Sequence, residues 1–285
     1  MFGFGKQESR KFIDLLLQVT NNKWANIDAN KEIKVGDYGR IDGATGELQV
    51  EGNLYENPET ASAMAAHPIR EGTPTKFEKY TSQGVKELGI SPTINSGLQP
   101  FADVAFEGKW EFKNKRGALL YLITPRIHSM KGFPASTVLD ERFESILKNR
   151  VICTDVVSCP AFALYLANSK EHVFSLALKA DVPIPAAPGV TAGGGVSANW
   201  KFENTQGAVK EGLNEKGEYL FFPLYSLKQI SWGKVSSVVR GDEEEESVLL
   251  DAETPWLDLD DEGEELDIPV DSGEPLASRT FTSLA

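Results

Sequence analysis

The side chains with the widest chemical repertoire are few and scattered. His67, His128 and His172 stand far apart, with no metal-ligand spacing between them, and Cys153 and Cys159 are the only cysteines. The two thiols read as small buried residues of a strand in a reducing compartment, with a redox or lipid-acceptor role as the alternative. No Walker loop, nucleophile elbow, His-Glu-x-x-His or Cys-x-x-Cys occurs. Gly193-Gly194-Gly195 follows Pro188-Gly189 without the helix that a phosphate loop needs, so it reads as a flexible connection. Carboxylates abound, but none has a setting that marks it as a general acid or base. The expectation is a non-enzyme with no catalytic residue, no metal and no cofactor. No nucleic-acid-binding motif is present, so nucleic acid is not an expected partner.

The charge is unevenly divided. Residues 241–285 hold 16 acids and one base, Arg279, whereas residues 1–240 hold 28 bases and 26 acids. The net charge of −13 therefore belongs to the tail. Such a tail reads as solvated and disordered. Val248-Leu249-Leu250, Trp256-Leu257 and Leu266 with Ile268 interrupt the acids, however. Apolar anchors in an acidic segment suit docking on a surface that is basic and greasy, and both readings stand. Hydrophobic residues make up 41% of the chain, enough for a globular core, and no apolar run approaches the roughly 18 residues of a spanning helix. With no signal-peptide core and no Met-Gly start, the expected location is the cytosol.

The elements that would position these groups follow from periodicity. Ser9 to Val19 places Phe12, Leu16 and Val19 on one helical face, with Lys6, Arg10 and Lys11 making its start basic. That helix packs on a core, lies on a membrane surface, or does both. Short strands follow at 32–38 and 48–55, then a Pro-rich loop with a helical turn near Thr60. From Asp103 to Asn114, Val104, Phe106, Trp110 and Phe112 alternate with polar residues. A turn at 114–117 and a second strand at 118–130 suggest a long hairpin. Residues 136–150 read as a helix and 150–168 as strand. A second alternating pair then appears: Phe174, Leu176 and Leu178, answered by Val196, Trp200 and Phe202. Residues 218–232 close the body and 234–246 form a linker. The expected class is α+β: a twisted antiparallel sheet with long amphipathic hairpins, flanking helices and an acidic tail. Alternation of this kind serves a half-buried sheet as well as a membrane strand.

In order, these features resemble the gasdermin pore-forming family, especially its small fungal cell-death members. The segments that carry the resemblance are Ile33-Lys34-Val35-Gly36-Asp37, Val151-Ile152-Cys153-Thr154 and Phe222-Pro223-Leu224-Tyr225-Ser226-Leu227. The resemblance implies a pore-forming domain over 1–235, a linker over 236–247 and an inhibitory segment over 248–285. It implies that an activating protease removes the tail, with Lys234 and Arg240 as candidate cut sites. The body would then bind acidic lipids through Lys6, Arg10 and Lys11, oligomerise, and permeabilise the plasma membrane. The chain departs from animal gasdermins, whose inhibitory domain is a large helical bundle. The competing expectation is a soluble interaction module whose acidic tail binds a basic partner.

Overall fold

The computed structural model describes residues 4–92, 106–130, 141–181, 197–231 and 249–266. In chain order the elements are α1 (Lys6–Leu17), β1 (Lys23–Ala25), β2 (Asp37–Ile41), β3 (Leu48–Asn53), α2 (Ala61–Met64), β4 (Ile69–Glu71), β5 (Phe77–Thr81), β6 (Val85–Pro92), β7 (Phe106–Phe112), β8 (Ala118–Ile123) and β9 (Arg126–Met130). They continue with α3 (Glu141–Leu147), β10 (Val151–Cys159), β11 (Ala161–Ala167), β12 (His172–Asp181), β13 (Ser197–Glu203), β14 (Gly207–Leu213), β15 (Phe221–Ile230) and β16 (Leu249–Asp251). The described residues are therefore mostly β. Three antiparallel sheets with three short helices replace the expected α+β arrangement around one sheet.

Helix α1 starts earlier than its apolar periodicity suggests. Glu8 accepts a hydrogen bond from the Gly5 amide at 2.9 Å, satisfying an otherwise orphaned donor of the first turn. It ends where the Thr20 hydroxyl donates to the Leu16 carbonyl and Asn21 and Asn22 take positive φ. Phe12, Ile13 and Leu16 are fully buried. They meet one face of an eight-stranded base sheet built around β10 and β15, in a core that also takes Leu120, Leu122 and Leu164.

The other two sheets are face-to-face leaves. The inner leaf runs β14-β11-β8-β5 and the outer leaf β13-β12-β7-β6. Between them lies a second core of Phe106, Trp110, Phe112, Tyr121, Tyr165, Phe174 and their neighbours. Its aromatic contacts cross from leaf to leaf: Phe106 stacks on Tyr121 at 4.1 Å and Tyr165 on Phe174 at 3.9 Å. The inner leaf is thus buried on both faces. That explains why β8 and β11 read as unbroken apolar runs rather than alternating ones.

Both leaves are made from the same four chain segments in the same lateral order. β5 continues into β6, β7 into β8, β11 into β12, and β13 into β14, each through a short connection at 82–84, 113–117, 168–171 or 204–206. The two leaves are one four-stranded sheet bent back on itself along a fold line. In the central pair the register survives the bend: the ladder pair Leu166↔Ala118, extended six residues along each strand, lands on His172↔Phe112, the pair that opens the outer leaf. Residues with positive φ mark three of the four connections: Gly84, Glu171 and Asn204, at 79°, 52° and 58°. Glycine takes that region freely, but Glu171 holds it at a cost of about 1 kcal/mol.

This topology corrects the expected first hairpin. β7 does not pair with β8; it pairs with the upstream strand β6 and with β12. A five-residue connection would allow a hairpin, but the apolar face of β7 buries itself instead by folding over the inner leaf. Strand β6 lacks clear alternation because a bulge between Glu87 and Gly89 shifts its register, so it escaped the sequence pattern. The second hairpin forms as expected, with Leu176 opposite Phe202 and Leu178 opposite Trp200.

Candidate functional site

The described part of the tail, 249–266, lies across α1 and the fold line. β16 adds to β15 beyond the end of the β1 ladder, pairing Asp251 with Lys228, whose Nζ reaches the carboxylate at 2.6 Å. The chain then drops Trp256 into the core, 5% exposed and edge-on to Trp24 at 5.8 Å. Gly46, at φ 77°, provides the floor: a Cβ there would lie 2.8 Å from the Trp256 ring. Leu259 is buried next, and a compact turn closes where Asp260 accepts hydrogen bonds from the amides of Glu262 and Glu264.

The cations of α1 clamp that turn. Lys11 Nζ donates to the Leu259 carbonyl at 3.0 Å, and Arg10 Nη2 to the Gly263 carbonyl at 2.7 Å. Arg10 Nη1 reaches the Glu265 carboxylate at 3.3 Å. The fold line contributes two more cations. Arg116 Nε donates to the Asp261 carbonyl at 2.6 Å, and Lys115 pairs with Glu262. Asp14, on α1, has its pKa raised, first by burial and then by the nearby Asp258 of the tail, with Lys11 opposing. The Nε of Arg10 and the indole N–H of Trp256 are buried without a hydrogen-bond partner. Apolar burial therefore carries the docking of Trp256.

Of the three expected lipid-binding residues, Lys6 is exposed. Arg10 and Lys11, expected to meet acidic lipid, are 8% exposed beneath the tail. The reason is local: four cations from two elements converge where the tail offers carbonyls and carboxylates. Sequence reading missed Lys115 and Arg116, treating Asn114-Lys115-Arg116-Gly117 as a plain turn. A basic pair inside a turn was the available signal. The basic partner that the acidic tail engages here is the chain's own body.

Among the expected membrane strands, Phe106, Trp110, Phe112, Phe174, Leu176, Leu178 and Trp200 are all buried between the leaves, and Phe202 is half-buried beside them. Val104, Val196 and the candidate cut sites Lys234 and Arg240 lie outside the described residues. β6, β7 and β13 have eight, seven and seven residues, short of the roughly 9–11 that a membrane strand needs. No described helix is long and apolar enough to cross a membrane.

Other chemistry is sparse. Cys153 and Cys159 are buried in β10, and burial drives both thiol pKa values up, away from reactivity. No described group of three His, Cys, Asp or Glu could hold a metal ion. A cavity of about 270 Å³ includes His128, Glu32 and Glu56. Its carboxylate Glu56 is paired with Lys34 at 3.0 Å, and His128 Nε2 meets Ser158 Oγ at 3.0 Å. Ser158 is 1% exposed, so a Ser–His pair here has no open path to substrate. Comparison of the chain with family models, curated proteins and solved structures finds no match.

Proposed function

We propose that this chain is an autoinhibited pore-forming protein of gasdermin-like action. The bent sheet carries the reading. Opened at its fold line, the segment from Phe106 to Ile123 becomes one strand roughly 60 Å long, against a hydrocarbon core of about 30 Å. In that unbroken ladder alternation puts Phe106, Trp110, Phe112, Phe174 and Leu176, now buried between the leaves, on one face with Leu120, Leu122, Leu164 and Leu166, now buried against the base sheet. That face is apolar enough to meet lipid. The opposite face of the outer leaf carries Glu107, Lys109, Glu111, Lys179 and Lys201, suited to a water-filled lumen. Strands β6 and β13 are the free edges of the outer leaf. A ring of copies pairing those edges would leave no backbone group unsatisfied in lipid.

The tail supplies the restraint. It holds Arg10, Lys11, Lys115 and Arg116 with its own oxygens, the groups that would otherwise meet an anionic leaflet at about 1 kcal/mol each. A protease cutting near Lys234 or Arg240 would free the tail, moving the body from cytoplasm to plasma membrane as an oligomer and killing the cell. A tail reserved for some other basic partner is less economical, since its anchors are already seated in cis.

Dye leakage from anionic vesicles tests the proposal. Residues 1–240 should leak dye at nanomolar to micromolar protein, while the full chain stays silent and neutral vesicles stay sealed. Binding without leakage, or leakage that ignores lipid charge, would refute it.

A further inference from the structure

Two neighbouring connections on the fold line are tied together by a small polar cluster that runs from buried Tyr165 and His172 through half-buried Ser169 to exposed Gln206. It contains Tyr165 of β11, Ser169 of the 168–171 turn, His172 at the start of β12, and Gln206 of the 204–206 turn. His172 Nδ1 lies 3.0 Å from the Ser169 carbonyl, which can only accept, so that nitrogen carries the hydrogen. Nε2 then accepts from the Tyr165 hydroxyl at 2.7 Å. The same hydroxyl oxygen accepts the Gln206 amide at 3.2 Å, and the Ser169 hydroxyl donates to the Gln206 side chain. The imidazole is 7% exposed and stacked on its register partner Phe112 at 5.1 Å.

This network is complete for the neutral ring and only for it. A second ring proton on Nε2 would point at the hydroxyl hydrogen of Tyr165. The hydroxyl would have to turn away and find a new acceptor inside a low-dielectric core. Burial pushes the His172 pKa down, against the opposing hydrogen bond to the Ser169 carbonyl. The groups facing the ring are Phe112 from β7, Tyr165 from β11, and Ser169 and Gln206 from the two turns. Of these only Tyr165 titrates, far above neutrality. Lys113, Lys170 and Glu171 flank the site with exposed side chains, and Glu111 pairs with Val173, the residue after His172.

We propose that His172 and Tyr165 form a proton-operated lock on the fold line, which holds the leaves together at neutral pH and loosens them on acidification. Opening the bend returns the ring to water and to its ordinary pKa near 6.5. The bent form is therefore favoured above that pH and loses its advantage as pH falls below it. The consequence for membranes rests on the pore-forming reading; the lock itself does not.

Hydrogen exchange of the intact full chain, corrected for intrinsic rates, tests the lock directly. Between pH 7.5 and 5.5 the amides of 168–173 and Gln206 should exchange several-fold faster, up to the roughly tenfold that one proton with a pKa near 6.5 allows, while β10 and β15 stay unchanged. Tyr165→Phe should exchange fast at both pH values, because it removes the hydroxyl but keeps the ring stacked on Phe174. His172→Gln should lose the pH dependence. A wild-type profile flat between the two pH values would overturn the lock, as would Tyr165→Phe keeping the wild-type pH profile. A second arm uses the full chain with a specific protease site placed in 236–247 and cut on anionic vesicles. Leakage should quicken on acidification more in wild type than in Tyr165→Phe. Absence of leakage at every pH, with exchange behaving as expected, keeps the lock and removes the pore.

Discussion

Replacing Trp256 with alanine should make the uncut chain leak vesicles. The indole is 5% exposed, packed against Trp24 and seated over Gly46, while its N–H finds no partner. Truncating a buried tryptophan costs about 3–5 kcal/mol, and each 1.4 kcal/mol is tenfold in an equilibrium. The docked-to-undocked ratio of the tail should fall about 100-fold or more. The surface contacts that remain, such as Lys228 with Asp251, are exposed ion pairs of small value. Two measurements check this. Limited proteolysis should cut 249–266 much faster in the variant, and leakage should appear without cutting and weaken as salt rises. Trp256→Phe keeps most of the burial and should stay quiet. A variant tail that is released yet silent on anionic vesicles would show that the tail does not restrain the body.

The second large effect belongs to the fold line. In the bent form the connections 113–117 and 168–171 lie opposite one another but outside the ladders on either side, and Ala167 N to Gly117 O at 2.9 Å is the pair nearest the bend. If the sheet straightens on a membrane, the preserved register brings Asn114 opposite Lys170 and Lys115 opposite Ser169. Their amides would then enter a continuous ladder. Hydrogen exchange there should slow by two or more orders of magnitude on anionic vesicles. In the same experiment Arg10 and Lys11 should become independent of the tail, and the 249–251 amides should lose protection as β16 leaves β15. Unchanged exchange at 113–117 and 168–171 in leaking vesicles would mean that the leaves insert without straightening, and the proposed strand length would fail.

The restraint and the proposed movement meet at one place. Lys115 and Arg116 belong to the connection that bends β7 into β8, and they hold the tail through Glu262 and the Asp261 carbonyl. A headgroup that replaces those oxygens would be bound at the hinge itself, so tail release and sheet opening share two residues. Acidification acts on the two steps in opposite directions. Asp14, its pKa raised by burial and by Asp258, favours the docked tail as pH falls, whereas His172 favours the opened leaf. The exchange readout at 168–173 separates the second effect from the first.

Several features were legible in the linear sequence because they are local. Charge counting separates the acidic tail from the near-neutral body, and Trp256 stands out as an apolar anchor among acids. Period-two alternation marks the apolar faces of β7 and β12, and it also finds the β12–β13 hairpin, whose strands are neighbours in the chain. Helical periodicity finds α1. Only the tertiary structure decided what covers each face. Alternation says that Phe106, Trp110 and Phe112 share a side, but a second leaf, a lipid and a helix would all satisfy it equally. The pairing of β7 with β6 and β12, rather than β8, is a non-local choice made by the burial of two aromatic faces against each other. The burial of Arg10 and Lys11 likewise depends on residues some 250 positions away in the chain. Periodicity reaches across one element; contacts of that separation are set by which surfaces fit once the whole chain has collapsed.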